Sequence, residues 1–246
     1  MISVIIPTLN EEKFVGGILS DLTSQLYKDF EVIVADSKSE DRTREVVKSF
    51  EDKLNVKLVL GDARGVALAR NHGADAASGE WLLFLDADVR IGPNFLERFI
   101  VGAKKKGLDA ASAYTKPLDK KLIYKLGNWL TMRYMLSFQR SKSPMAGGYC
   151  ILVKKVIHQK IGGFDPKLKL AEDHDYLTRA VKAGAKFRYV KSARIGVSMR
   201  RFEEKGRFKL AFDYIKSEIY RFAHKGRIEK EIVKYEFGGH GENNKN

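Results

Sequence analysis

The 246-residue chain carries 45 Lys and Arg against 31 Asp and Glu, a formal net charge of +14, and 44% of its residues are apolar. That apolar share fills a globular core, and no apolar run reaches the ~18 residues of a membrane span. A single cysteine, Cys150, excludes an internal disulfide, and the start lacks a basic segment and a cleavage site, so a cytoplasmic protein is expected.

The stretch "SVIIPT" (3–8) predicts a buried strand, and "EEKFVGGILSDLTSQ" a helix with Phe14, Ile18 and Leu22 on one face. "FEVIVAD" (30–36) predicts a second strand, followed by "DRTREVVKSFED", a helix burying Val46, Val47 and Phe50. "VKLVLG" (56–61) is a third strand, the Ala-rich "GVALARNHGADAAS" a helix ending before Gly79, and "WLLFLD" (81–86) a fourth strand buried on both faces. Strand–helix alternation with short connections predicts an α/β fold, a mostly parallel central sheet flanked by helices. Farther on, "KKLIYKLGNWLTMRYMLSFQRSK" is an amphipathic helix with Leu126, Leu130, Tyr134 and Phe138 in one stripe. "EDHDYLTRAVKAG" opens a helix with Glu172, Asp173 and Asp175, turns Leu177, Ala180 and Val181 inward and stops at Gly184. "RFKLAFDYIKSEIYRF" aligns Phe208, Phe212, Ile215, Ile219 and Phe222 as a second amphipathic helix before a polar tail.

In open α/β sheets, ligands sit outside the carboxyl ends of the strands. Polar residues collect at three such ends: Thr8, Asn10 and Glu11; Asp36 and Ser39; Asp86 and Asp88. Each set has a structural alternative, with Thr8 or Asn10 capping the first helix and Ser39 or Asp41 the second; Asp36 is not needed for either. Asp86 and Asp88 lie one residue apart, so an extended backbone points both the same way, where they repel and call for a cation or a proton. Oxygen ligands in small number suit Mg²⁺ or Mn²⁺, which keep water and share a substrate diphosphate. No Cys/His set suits zinc, and neither a Walker lysine loop nor G-x-G-x-x-G is present. The acids at 172–175 either serve the helix dipole or make Asp173 a general base.

The charge is concentrated. Between Lys116 and Lys160 ten basic residues face one acid, Asp119, a local excess of 10 − 1 = +9. Such a segment implies a polyanionic partner. Basic flanks beside an apolar, aromatic stripe also describe a helix lying in a membrane interface, the alternative being that both stripes pack on the protein's own core.

"VIIPTLNEE", "VIVADSKSEDRT", "GVALARNHGADAASGEWLLFLDADV", "GGFD" and "EDHD" together, in this order, resemble the signatures of family 2 glycosyltransferases with the GT-A fold, over about residues 2–202. The resemblance implies one GT-A domain over 1–202, its nucleotide-sugar half at 1–115 and its acceptor half at 116–202, with a C-terminal helical extension at 203–246. It implies a nucleoside diphosphate sugar donor, UDP ahead of GDP, with Pro7, Thr8, Asn10 and Glu11 lining the nucleoside pocket and Asp36 bonding the base. Arg64 and Arg70 match positions flanking base and diphosphate. Asp86 would contact ribose or metal, Asp88 the metal directly, and Asp173 would deprotonate the acceptor for inverting attack. Arg200 and Arg201 resemble a segment that closes over the diphosphate. The acceptor half varies in this family. The +9 segment makes a glycan or lipid-phosphate acceptor at the cytoplasmic membrane face the expectation, with peripheral contact to anionic lipid. Three rivals remain. A sugar nucleotidyltransferase would need a Gly-rich basic phosphate loop, a nucleic-acid-binding protein would be repelled by strand-end acids, and a non-catalytic scaffold would have no use for Asp88 with Asp173.

Overall fold

The computed structural model describes residues 1–199 and Lys216. The C-terminal extension expected over 203–246, its apolar stripe, and Arg200 and Arg201 lie outside the described residues, Lys216 apart.

Four strands form the first half-sheet: β1 (Ile2–Thr8), β2 (Phe30–Asp36), β3 (Val56–Leu60) and β4 (Trp81–Leu85). All are parallel, in the order β3-β2-β1-β4. β1 and β4 are buried along their whole length because helices cover both faces, whereas β3, at the sheet edge, is only partly buried. Val4 and Ile6 enter one core with α1 (Val15–Thr23) and α4 (Phe95–Lys105), α2 (Thr43–Lys48) adding Val47. Ile5 and Ile33 face the other core with α3 (Val66–Asp75) and α7 (Glu172–Lys182). The β1–β2 register sets Thr8 against Asp36, which brings two predicted site residues side by side.

The second half departs from simple alternation. Beyond β4 come β7 (Cys150–Lys154), β6 (Ala110–Pro117), β8 (Phe187–Val197) and β5 (Arg90–Ile91), an eight-stranded sheet in all. β7 runs antiparallel to both β4 and β6, while β6 and β8 are parallel. The sheet is mostly parallel, as expected, and the reversal of β7 positions the site. Because Cys150 pairs with Leu85, β7 begins where β4 ends, and the loop before it lands beside Asp86.

The expected caps at α1 do not form. Glu11–Phe14 make a tight turn on the Glu11 carbonyl, and the helix begins at Val15 with no side-chain cap. Asp41 does serve α2, accepting the Thr43 N–H at 3.0 Å. Helix α5 (Leu122–Phe138) faces the protein with Tyr124 and Met132 and is pinned to β6 by Asn128, whose Nδ2 donates to the Thr115 carbonyl at 3.1 Å. Its predicted stripe is not core: Leu122 is 80% exposed, and Ile123, Leu126, Trp129, Leu130 and Tyr134 are exposed with it. No described helix is long and apolar enough to cross a membrane.

Candidate active site

The loops after β1 and β2 are laced together. Asn10 N–H donates to Ser39 Oγ (2.9 Å), Glu11 N–H to Thr43 Oγ1 (2.8 Å) and Glu12 N–H to Asp41 Oδ2 (3.0 Å). In return the Glu40 N–H donates to Asn10 Oδ1 (2.8 Å) and the Arg42 N–H to Glu12 Oε2 (3.1 Å). The lacing, not helix capping, is what Asn10 and Ser39 do locally, and it makes one rigid ledge of two loops. Asn10 (φ 55°) and Lys38 (φ 64°) turn left-handed to build it; so does Ala171 (φ 59°) in front of Glu172. A non-glycine residue in that conformation costs ~1–2 kcal/mol, and such residues gather where a site dictates the backbone.

Asp36 sits beneath the ledge, its side chain fully buried and accepting from Thr8 Oγ1 (3.3 Å), the Ser39 N–H (3.1 Å) and Arg44 Nε (2.8 Å). Arg44, not singled out in the sequence, neutralises this buried carboxylate from the first turn of α2. Pro7 and Glu11 are buried alongside. Arg64 stands on the rim, exposed and paired with Glu40.

Asp86 and Asp88 follow β4, both partly buried. Asp86 accepts from Arg70 Nη2 at 3.2 Å through Oδ1, and its Oδ2 bonds no described residue. Among the described residues no group of three or more His, Cys, Asp or Glu is arranged to hold a metal. Two hard oxygen donors therefore supply only part of a shell. That fits Mg²⁺ or Mn²⁺ completed by water and diphosphate, and it does not fit zinc.

Arg70, from α3, is 2% exposed and binds on both sides: Nη2 to Asp86 and Nη1 to Glu172 Oε1 at 2.8 Å, with Cζ 5.1 Å from the centroid of the Phe164 ring. Burial opposes its charge, but Asp86, Glu172 and Asp173 outweigh burial and hold its pKa above the ordinary value. One cation thus serves three acids. Glu172 feels the shortage: burial and then the adjacent Asp173 push its pKa up, against the pull of Arg70.

Asp173 opens α7 with Oδ2 accepting the Gly148 N–H at 2.6 Å and Oδ1 the His174 N–H at 2.8 Å. Its side chain keeps 15% exposure. Gly148 and Tyr149 belong to the loop that the reversed β7 carries in, and the Asp86 N–H meets the Tyr149 carbonyl at 3.4 Å. A Cβ at Gly148 would stand 2.4 Å from Arg70 Nη2, so any side chain there would displace the guanidinium. Sequence reasoning passed over Gly148 and Arg44, and gave Glu172 only a place among the acids at the start of a helix. The pair Gly147–Gly148 before the apolar run "YCILV" was the one available signal.

Comparison with known proteins fits this geometry. The chain belongs to glycosyl transferase family 2, whose model matches residues 3–162. A validoxylamine A glucosyltransferase of Streptomyces hygroscopicus subsp. limoneus is 44% identical over 101 residues, 39% of this chain and 22% of that relative. Among solved structures, TarS 1–349 of S. aureus, in complex with UDP, matches with a TM-score of 0.65 at 24% identity, over 80% of this chain and 60% of that one. The mannosyltransferase PcManGT from Pyrobaculum calidifontis, in complex with GDP-Man and Mn²⁺, matches at 0.63 and 22%, over 79% and 56%. The fold is GT-A. The chain spans only 22% to 60% of the lengths of these proteins.

Proposed function

We propose that this chain transfers a sugar from a nucleoside diphosphate sugar to an acceptor, with inversion at the anomeric carbon. One observation carries the reading. Asp86 after β4 and Glu172, which directly precedes Asp173 at the start of α7, are joined by one buried arginine, although they lie far apart in sequence. Metal-side acids and a base belong together in a transferase, and neither a scaffold nor a nucleic-acid-binding protein needs them so.

In this reading Pro7, Thr8, Asn10 and Glu11 line the nucleoside pocket on the laced ledge, Asp36 sets its floor and takes the base, and Arg64 closes the rim. Arg200 and Arg201 stay assigned to the diphosphate; Arg70, which the resemblance also places near it, is buried between Asp86 and Glu172 and stands behind the donor rather than against it. Asp88 and Asp86 would hold a divalent cation, which when bound offsets the charge on the departing diphosphate. Asp173, oriented by two amide donors, accepts the proton of an acceptor hydroxyl as that oxygen bonds the anomeric carbon and the bond from that carbon to the diphosphate breaks. A single displacement inverts the centre. A phosphate acceptor, already ionised, would lessen the need for the base. UDP is favoured over GDP by the family resemblance; TarS has been solved with UDP and PcManGT with GDP-Man.

The acceptor reading rests on α5. Six large apolar residues stay exposed on a helix flanked by Lys120, Lys121, Lys125, Arg133, Arg140 and Lys142. That is the pattern of a helix seated in an anionic membrane interface. It supports a polyprenyl-phosphate or lipid-linked glycan acceptor, met by peripheral contact at the cytoplasmic face.

Calorimetric titration of UDP and GDP, with and without Mn²⁺, tests the donor, the better ligand being repeated on Asp88→Ala. Metal-dependent binding lost in the variant is expected; no binding of either nucleotide overturns the reading.

A further inference from the structure

Arg70 touches three segments that no other buried cation joins among the described residues. On one side is Asp86, at the end of β4. On the other is Glu172, first residue of α7. Between them, Gly148 lies so close that its missing side chain is the space the guanidinium fills. Gly148 and His174 are the residues whose N–H groups orient Asp173. One of the two amides that orient Asp173, that of Gly148, is thus packed against Arg70, and Glu172, bound by Arg70, directly precedes Asp173, while no hydrogen bond joins Arg70 to Asp173 itself.

We propose that Arg70 is a positioning residue that couples occupancy of the nucleotide and metal side to the placement of Asp173; this role rests on the donor reading above. A guanidinium buried to 2% has no open face for a diphosphate without leaving its partners. Its planar fork instead fixes a distance between two carboxylates. A cation held at Asp86 and Asp88 would draw on Asp86, and the fork would pass that change to Glu172 and to the Gly148 backbone packed against it, so that the base would be set hardest with the donor in place. An adjacent pair of carboxylates, Glu172 and Asp173, would otherwise repel at the start of α7. Lysine, a point charge, can hold one of the two acids but cannot span both.

The test is amide hydrogen exchange in the full chain, followed by NMR at saturating UDP·Mg²⁺ or GDP·Mg²⁺, on the wild type, Arg70→Lys and Glu172→Gln. In the wild type, nucleotide should slow exchange at Asp88, and also at Gly148 and His174 by about tenfold, within the usual span of coupling between sites. In both variants protection at Asp88 should persist while that at Gly148 and His174 disappears. Glu172→Gln keeps the shape of the side chain but removes the carboxylate charge that the fork spans to, so it covers the case in which Arg70→Lys does not fold. A merely structural arginine would lower protection everywhere alike, and that result overturns the role. So does protection at Gly148 persisting in the variants, which would mean direct nucleotide contact. Protection nowhere in the wild type overturns the donor reading, and this role with it.

Discussion

Gly148 donates its N–H to Asp173 at 2.6 Å from a position where a β-carbon would stand 2.4 Å from Arg70 Nη2. The residue that orients the proposed base is therefore also the residue against which the buried cation is packed. Gly148→Ala should cost about 1–3 kcal/mol of stability, as overpacking does. It should lower sugar transfer far more than the fraction of folded protein falls. Urea unfolding beside initial rates separates the two.

Overpacking away from the chemistry should behave differently. A Cβ at Gly102 would lie 2.5 Å from Val190 Cγ1, where α4 crosses β8. Gly102→Ala is expected to destabilise by about 1–3 kcal/mol as well, lowering Tm by roughly 2–4 °C for each kcal/mol. Nucleotide affinity measured by calorimetry should stay as in the wild type.

His158 gives the protein a pH limit unrelated to its proposed base. Its ring is buried beside Phe84 and Phe164, and Nδ1 shares a hydrogen bond with the Tyr176 hydroxyl at 2.9 Å. Burial lowers its pKa to about 4 from 6.5, with Asp75 opposing and Arg179 and Lys155 assisting. A folded-state pKa below the unfolded one means that the unfolded chain binds the proton first. Stability is therefore full above pH 6.5 and is lost as pH falls toward 4, by up to about 3 kcal/mol. Urea midpoints at pH 7.5 and 4.5 should differ less in His158→Gln than in the wild type.

The outer face of α5 can be altered without touching the fold. Leu126 and Trp129 are both 55% exposed. The double change to alanine should alter stability by less than about 1 kcal/mol. It should reduce flotation with phosphatidylglycerol-containing vesicles at low salt severalfold. Flotation equal to the wild type's would remove α5 from the acceptor reading.

Much of the fold was legible because β1 to β4 are mostly apolar runs with helical spacing between them. β2 matches its predicted range, and β1, β3 and β4 differ from theirs by one residue at one end. Strand direction was not legible. Nothing in "CILVK" says that it pairs antiparallel with residues 81–85, since a strand buried on both faces looks the same read either way. The acids at the strand ends could be named as candidates because chain topology sends them to one edge. The partner of Arg70 could not. Glu172 lies 102 residues away, and its tie to Arg70 depends on a loop whose position follows from the unforeseen reversal. The exposed stripe of α5 was ambiguous for a simpler reason: periodicity identifies an apolar face but not what lies against it.

The late insertion of β7 also sets an order of assembly. During synthesis β3, β2, β1 and β4 can pair once residue 85 has emerged, yet β4 then presents a bare apolar edge from Trp81 to Leu85. Its neighbour, Cys150–Lys154, follows only after residues 86–149. Until then the nascent chain carries an open β-edge of the kind that recruits other chains. Chains truncated before residue 150 should therefore aggregate, and ribosome-bound intermediates of that length are where a chaperone would be needed.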